Sequence, residues 1–501
     1  MSLRWLRGPD KYSRFLSPSL AAILALLLTS LQTVAEEAVG DRVVPNILVV
    51  YVDDLGYGDT AVYGHPLVHT PTIDRLATEG VRFTQFYAPS ALCSPSRAGL
   101  LTGRTPYRTG VEDWIPDGSA IALGENETTL ADLAKGQGYR TAVIGKWHLN
   151  GGLELEAAPQ PRDFGFDYQY GLGAWVKNAA VAARRSSPRR GHMYPDNMYR
   201  NNRPVGRTQK YSAELVSDEA LAWLSQGESP FFLYLTYSEV HTPIASPQRW
   251  LEHYDAFLTD EARENPLTYY FDWRNRPWRG RGEYYANISF LDEQLGRVIE
   301  HLRASGQLDN TLVVFSSDNG PVTAAALTPW ELGMAGETAG LRGKKRFLFE
   351  GGIRVPGILR YPPLLRGGQV LDTPATALDV LPSAAEVMGA KLDERVPRDG
   401  QTLLPLLRGQ QWYREKPLYW SIKTPDGMEY ALRDGDWKLI LDGAAQPVYL
   451  FNLREDFYEV DNRLEQEPAR TAKLLKAFQA QRASIEADPL RGARGVYQAS
   501  P

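Results

Sequence analysis

Four short apolar runs in this chain each lead into residues that carry a charge or an imidazole, and this repetition constrains the fold more than any other feature. Asn46–Val52 runs into Asp53 and Asp54, and residues 139–144 into Gly145, Lys146, Trp147 and His148. Phe231–Tyr237 leads to His241, Thr242 and Pro243, and Thr311–Ser317 ends at Asp318 and Asn319. The runs are rich in Val, Ile, Leu, Phe and Tyr, the pattern of strands buried in a parallel sheet. Helical patterns lie between them, over 72–79, 129–136, 213–224 and 283–305. The last has apolar residues at 288, 291, 295, 298, 299 and 302. Strands alternating with helices predict an α/β fold, a large, mostly parallel sheet sandwiched by helices. Ligands in such sheets bind outside the carboxyl ends of the strands, so four charged strand ends at one edge describe a site.

Beyond about residue 410 the pattern changes. Short strands are expected near 417–422, 430–433, 437–441 and 448–451, with Asp434-Gly435 as a hairpin turn, followed by a helix over 469–485. This reads as a small C-terminal antiparallel sheet with one helix. The expected division is a leader over 1–35, a catalytic domain over 41–410 and a C-terminal α+β subdomain over 411–501.

The leader follows from order. Arg4, Arg7, Lys11 and Arg14 precede an apolar stretch at 20–28, and small residues at 33–35 precede Glu36 and Glu37. That is the arrangement of a secretory signal peptide, with an apolar run too short to span a bilayer. Its removal takes four basic residues and one acidic one, moving the net charge from −5 to −8. An acidic chain without a basic run does not suggest nucleic-acid binding, and no stable membrane anchor is expected. Any anionic substrate must be drawn by local cations rather than by the global field. Secretion, or export to a periplasm, is the localisation adopted. The single cysteine, Cys93, excludes an intrachain disulfide, so the fold must rest on its core.

Cys93 opens the run Cys93-Ser94-Pro95-Ser96-Arg97, continued by Ala98-Gly99-Leu100-Leu101-Thr102-Gly103-Arg104. This stretch resembles the signature of the formylglycine-dependent sulfatases, of carbohydrate-sulfatase type, within the alkaline phosphatase superfamily. Further motifs fall in family order from Asp53 to Glu350. The resemblance implies that Cys93 is oxidised to formylglycine by a formylglycine-generating enzyme. The hydrated aldehyde then offers one hydroxyl to attack sulfur and a second to expel sulfate, a covalent route with a built-in exit.

The resemblance also implies a metal site of Asp53, Asp54, Asp318 and Asn319, joined by residue 93. Oxygen-only ligands suit Ca2+, with Mg2+ as second choice, whereas zinc calls for histidine or thiolate ligands. By resemblance and charge together, Arg97 holds the nucleophile and the metal carboxylates, and Lys146 touches residue 93 and the sulfate. His148 accepts the proton of the second hydroxyl, and His241 binds sulfate and helps protonate the leaving alcohol. Two adjacent lysines precede Glu350-Gly351-Gly352; family spacing selects Lys345 for sulfate binding, with Lys344 as the fallback. The remaining histidines stay outside this set, and Asp292, within the long helical pattern, reads as structural.

Two segments suit a sulfated sugar. Residues 177–192 contain Arg184, Arg185, Arg189 and Arg190, a pattern that equally fits a basic surface loop. Trp273, Arg274 and Trp278 belong to a second stretch in which aromatic and guanidinium groups alternate. Arginine pairs with sulfate and aromatic faces stack on sugar rings, which points to a sulfated polysaccharide or glycosaminoglycan. An aryl or small alcohol sulfate stays open. So do a phosphonate or phosphate ester hydrolase of the same superfamily and a non-catalytic glycan-binding protein.

Overall fold

The computed structural model describes residues 44–173, 195–227, 230–241, 244, 246–258, 281–322, 336–424, 427–491 and 495–496. Strand β1 (Asn46–Val52) sits at the middle of the large sheet because both its faces find apolar cover. Ile47, Val49 and Tyr51 enter one core, while Leu48, Val50 and Val52 enter the other. Along the chain follow α1 (Pro71–Glu79), β2 (Val81–Tyr87), α2 (Cys93–Thr102), α3 (Leu130–Gly136), β3 (Arg140–Gly145) and β4 (Tyr168–Leu172). Then come α4 (Ser212–Leu224), β5 (Phe231–Tyr237), α5 (Arg281–Ala304), β6 (Thr311–Ser317), β7 (Arg354–Arg360) and α6 (Val380–Met388). Helices α2, α3 and α6 bury their apolar residues on the first face, and α1, α4 and α5 on the second.

The central strands lie in the order β6-β1-β5-β3-β4 and all run parallel. Next to β6 the direction reverses: β7 is antiparallel to β6 and to β2. The sheet is therefore mixed, and the reversal matters. Because β7 runs backwards, its amino end lies at the edge where its neighbours have their carboxyl ends. Residues that precede β7 in sequence reach the same edge as residues that follow β1, β3, β5 and β6. Neither β2 nor β7 stands out in the sequence. Pro356 and Gly357 interrupt the apolar run of β7, and the register shifts there, between Val355 and Gly357.

Local chemistry explains several boundaries. Thr129 caps α3, its side chain accepting from Ala131 N and Asp132 N while Asp132 reaches back to the Thr129 amide. Asp292 on α5 caps α1 from outside, accepting from Thr72 N at 3.0 Å and Ile73 N at 2.8 Å, which fits its structural reading.

The C-terminal sheet is antiparallel in sequential order, β8 (Leu418–Thr424), β9 (Gly427–Asp434), β10 (Trp437–Leu441) and β11 (Pro447–Asn452), closed by α7 (Pro468–Glu486). Asp434 pairs with Trp437, so the two-residue turn is Gly435-Asp436, one position later than the sequence suggested. Gly435 takes a φ of 60° at its first position, where a side chain would strain the loop. One face of this sheet packs Trp420, Ile422 and Phe451 on Tyr87, Leu92 and Ile353; the other packs Leu432 and Leu439 on Phe478 of α7.

A buried ionic contact joins the C-terminal sheet to the short turn of helix that leads into β7. Lys438 of β10 donates to Glu350 at 2.9 Å and lies 2.8 Å from Glu459, with all three side chains fully buried. Burial opposes the charge of Glu350, but Lys438, with Arg354 and Arg433, outweighs it and holds the carboxyl near 2. Burial pushes its neighbour Glu459 up to about 7. Removing one partner of a buried pair costs about 3–5 kcal/mol. We therefore expect Lys438→Met to lower stability by roughly that amount in urea unfolding, while Lys438→Arg loses far less.

Candidate active site

Backbone hydrogen bonds that continue past the strand ends position the first acidic residues. Asp53 N donates to Tyr237 O at 3.1 Å, and Asp318 N to Val52 O at 3.0 Å, so β1, β5 and β6 are stitched together beyond their last ladder rung. Asp54 turns into left-handed backbone, φ 63°, and its N–H donates to Asp318 Oδ1 at 3.2 Å. On β3, Gly145 permits the approach to β5: a Cβ there would lie 1.7 Å from Thr236 O. The chain then delivers Lys146 and His148 to the same edge.

Cys93 is the first residue of α2, a helix buried along its whole length. The helix is fastened by Ser96, whose hydroxyl donates to Ser90 O at 2.9 Å, and by Ser94, whose hydroxyl accepts from Ile115 N at 3.0 Å. From the other side comes the segment before β7. Lys345 N donates to Pro321 O at 2.8 Å and Arg346 N to Ala91 O at 3.0 Å, so this loop is clamped between the β6 end and the approach to Cys93.

These placements bring one oxygen each from Asp53, Asp54 and Asp318, and the Cys93 sulfur, within 4.8 Å of one another. Three cations neutralise the carboxylates. The Arg97 guanidinium donates to Asp318 Oδ2 at 3.0 and 2.6 Å and to Lys146 O at 2.9 Å. Lys146 Nζ lies 2.5 Å from Asp53 Oδ2, and Lys345 Nζ lies 2.5 Å from Asp54 Oδ1 and 3.2 Å from Cys93 Sγ. Lys344 points elsewhere, donating to Gly336 O at 2.8 Å. Asn319 sets its amide nitrogen 2.7 Å from Asp54 Oδ1.

Burial shapes the protonation states. It opposes the charge of Asp53, but Lys146, His241, Arg97 and Lys345 outweigh it and hold that carboxyl well below its usual range. Burial and the Asp53 charge push Asp318 up to about 7 despite Arg97. Burial pushes the Cys93 thiol up to about 12, so it stays protonated at neutral pH. Burial, then Lys146 and Arg97, drive His148 well below its ordinary value. His148 Nε2 sits 3.0 Å from Ile115 O; a carbonyl only accepts, so Nε2 carries the hydrogen and Nδ1 the lone pair. Among the described residues Nδ1 has no hydrogen-bond partner. His241 lies at the mouth, its side chain 35 % exposed, with Nε2 3.8 Å from Asp54 Oδ2. Desolvation of the ring lowers it to about 4, leaving it neutral at neutral pH.

Above these groups opens a cleft of about 200 Å³. Asp53, Lys146, His148 and His241 line it, together with Trp114, Asp117, Asn150 and Ser238, which the sequence reading did not single out. No motif marks them; the only hint is a tryptophan in a turn-rich stretch about twenty residues after Cys93. Trp273, Arg274 and Trp278, and the arginines of 184–190, lie outside the described residues, as does the leader over 1–35. Among the described residues no helix is long and apolar enough to cross a membrane.

The donor set fits a hard cation. Asp53 Oδ1, Asp54 Oδ2 and Asn319 Oδ1 are buried acceptors without a hydrogen-bond partner among the described residues. A buried acceptor left unsatisfied is costly, and a divalent ion bound by oxygen would satisfy all three at once.

Comparison with known proteins agrees with this geometry. Residues 45–390 match the sulfatase family, and residues 342–486 match the family described as N-sulphoglucosamine sulphohydrolase, C-terminal. Arylsulfatase A of Bos taurus is 33 % identical over 415 residues, covering 79 % of this chain and 74 % of its own. Steryl-sulfatase of Homo sapiens is 31 % identical over 433 residues, covering 73 % and 70 %. Ps i-CgsB, solved in complex with k-i-k-neocarrahexaose, superposes with a TM-score of 0.74 at 25 % identity, covering 89 % of this chain and 94 % of that one. The phosphonate monoester hydrolase of Agrobacterium radiobacter shares the fold, with a TM-score of 0.63 at 21 % identity, covering 88 % and 96 %. The chain belongs to the sulfatase family, within the alkaline phosphatase superfamily. Members of this family are sulfuric ester hydrolases, and the chain is one of them.

If the orphaned oxygens receive a cation, ligand linkage will show it. Calcium at a hundredfold excess over its dissociation constant is expected to stabilise the protein by about 2.7 kcal/mol, read by chemical denaturation. Asp54→Ala should abolish the increment, and magnesium should give a smaller one.

Proposed function

We propose that this protein hydrolyses sulfate esters of a sulfated carbohydrate with a formylglycine at position 93 and a calcium ion held by Asp53, Asp54, Asp318 and Asn319. The observation that carries the reading is the meeting of Cys93 with three buried carboxylates and two lysine ammoniums, two members of which, Asp53 and Lys146, line the cleft. A buried thiol pushed up to about 12 stays protonated and is a poor nucleophile as it stands. Calcium is preferred to magnesium because the set offers several protein oxygens, where magnesium tends to keep its waters.

The Cys93 sulfur marks where the hydroxyl oxygens of the hydrated aldehyde would stand. The hydrate supplies one hydroxyl to attack sulfur and another whose loss of a proton lets the carbon return to aldehyde and release sulfate. Calcium, when bound, orients the sulfate oxygens and favours the ionised hydroxyl.

The chain's own residues do the rest. Lys345 and Lys146 face the nucleophile position and offset the charge that grows on the sulfuryl oxygens. Arg97 is buried beside them and fixes Asp318 in place through two hydrogen bonds to Oδ2. His148 presents the lone pair of Nδ1 and takes the proton of the second hydroxyl. His241 at the mouth is neutral in the free protein. An anionic sulfate beside it would raise its affinity for a proton, which it then passes to the departing alcohol.

A carbohydrate substrate is supported by the structural relatives. Ps i-CgsB was solved with k-i-k-neocarrahexaose, and BT4656, a fold neighbour at TM-score 0.65 and 20 % identity, with its substrate D-glucosamine-2-N,6-O-disulfate. Trp273, Arg274 and Trp278 remain assigned to the sugar-binding stretch. We also assign the chain to the secretory route through its leader, and 411–501 to a subdomain that buttresses the catalytic domain over 41–410.

Co-expression with a formylglycine-generating enzyme, followed by assay of sulfate release from sulfated polysaccharides and their oligosaccharides in calcium, tests the proposal. Release is expected from the wild type and none from Cys93→Ala; phosphate release from phosphate esters in place of sulfate would overturn it. A second measurement isolates the acid. His241→Ala is expected to lower kcat by about 10²–10⁴-fold on a sugar sulfate, and much less on 4-nitrophenyl sulfate, whose leaving group needs no proton.

A further inference from the structure

One wall of the cleft is not used by the sulfate chemistry. It is the 113–119 segment, which contributes Trp114 and Asp117 to the same lining as Lys146, His148 and His241. Trp114 is 42 % exposed although it belongs to a segment held firmly in place. The next residue, Ile115, is buried; its N–H donates to Ser94 Oγ at 3.0 Å, beside Cys93, and its carbonyl accepts from His148 Nε2 at 3.0 Å. The indole is thus one residue from a peptide clamped between two parts of the catalytic centre. Beyond it, Ser119 N donates to Pro116 O at 3.0 Å and Gly118 N to Gly151 O at 2.7 Å, closing the turn that carries Asp117. Gly151 permits this packing, since a Cβ there would lie 2.3 Å from Ser119 O.

A fixed, half-open indole at the mouth of an anion site needs a partner. A large aromatic surface left in water forgoes its burial energy, and pockets combine such surfaces with a few polar groups that fix orientation. The carboxylate of Asp117 is informative for a different reason: it brings acceptor oxygens to the cleft lining and no donor for an anion. What both residues suit is the neutral part of the substrate. The C–H face of a pyranose lies flat on an indole, and a ring hydroxyl donates to a carboxylate.

We propose that Trp114 and Asp117 form the subsite for the sugar ring that carries the scissile sulfate, Trp114 as the platform under the ring and Asp117 as acceptor for one of its hydroxyls. The subsite selects a ring whose neighbouring positions carry hydroxyls rather than a second anionic group. This assignment rests on the sulfatase reading above.

The test uses the matured protein in calcium, with galactose and glucosamine monosulfates, the corresponding disulfates and 4-nitrophenyl sulfate. Trp114→Ala is expected to raise KM for the monosulfates by about tenfold or more, the equivalent of one lost stacking contact, with kcat within about twofold. Trp114→Phe should recover most of the loss, and melting temperatures should not move. Asp117→Asn should weaken the monosulfated sugars, spare 4-nitrophenyl sulfate and narrow the preference against disulfates. Unchanged KM in Trp114→Ala, or an Asp117→Asn effect equal on sugar and aryl esters, would overturn the subsite. If the wild type releases no sulfate at all, calorimetric binding of the monosulfates to Cys93→Ala separates the two readings. Binding lost on adding Trp114→Ala upholds the subsite while the reaction fails; binding indifferent to Trp114, or absent, removes the subsite.

Discussion

Three carboxylates, Asp53, Asp54 and Asp318, are buried within reach of one another, and much of this molecule is arranged to make that tolerable. Like charges taken out of water at such spacing would protonate or force the site apart. Arg97, Lys146 and Lys345 answer them one for one, each from a different stretch of chain: a helix, the end of β3 and the loop before β7. The balance ties together segments nearly three hundred residues apart. It also leaves acceptor oxygens over, at Asp53, Asp54 and Asn319, which is the condition for holding a cation.

The reversed strand β7 makes this balance reachable. Were it parallel to its neighbours, its amino end would lie at the opposite edge and Lys345 with it. Its direction brings Lys345 up against Asp54 and Cys93, and Glu350 just behind. The C-terminal sheet then secures the loop. Lys438 neutralises Glu350 from below, and Glu459 Oε2 accepts the Glu350 N–H at 2.6 Å. A small sheet remote in sequence thereby holds the lysine nearest the nucleophile position.

Much of this was readable from residue order. The runs at Asn46–Val52, Phe231–Tyr237 and Thr311–Ser317 coincide with strands, because a strand buried on both faces must be apolar throughout and a charge ends it. The helical pattern at 283–305 is matched by α5, whose residues at 288, 291, 295, 298, 299 and 302 are all buried. The hairpin slipped by one residue because Asp434 and Gly435 are both turn formers, and only the pairing of Asp434 with Trp437 decides which of them stays in the strand.

By itself, then, the sequence determined the alternation of strands and helices, the motif around Cys93 and the residues at four strand ends, since these depend on local pattern and chain order. Family spacing already pointed to Lys345, but only the tertiary structure placed its Nζ 3.2 Å from Cys93 Sγ. Only the tertiary structure, too, ran β7 backwards, left Nδ1 of His148 without a hydrogen-bond partner among the described residues and turned Trp114 to the cleft. Lys344 and Lys345 are adjacent and chemically identical, and what separates them is the backbone of one loop, clamped at Pro321 and Ala91 by hydrogen bonds to distant parts of the chain. Contacts of that range leave no periodicity in the sequence, because each is set by where the fold brings two backbones together rather than by what stands next to each residue.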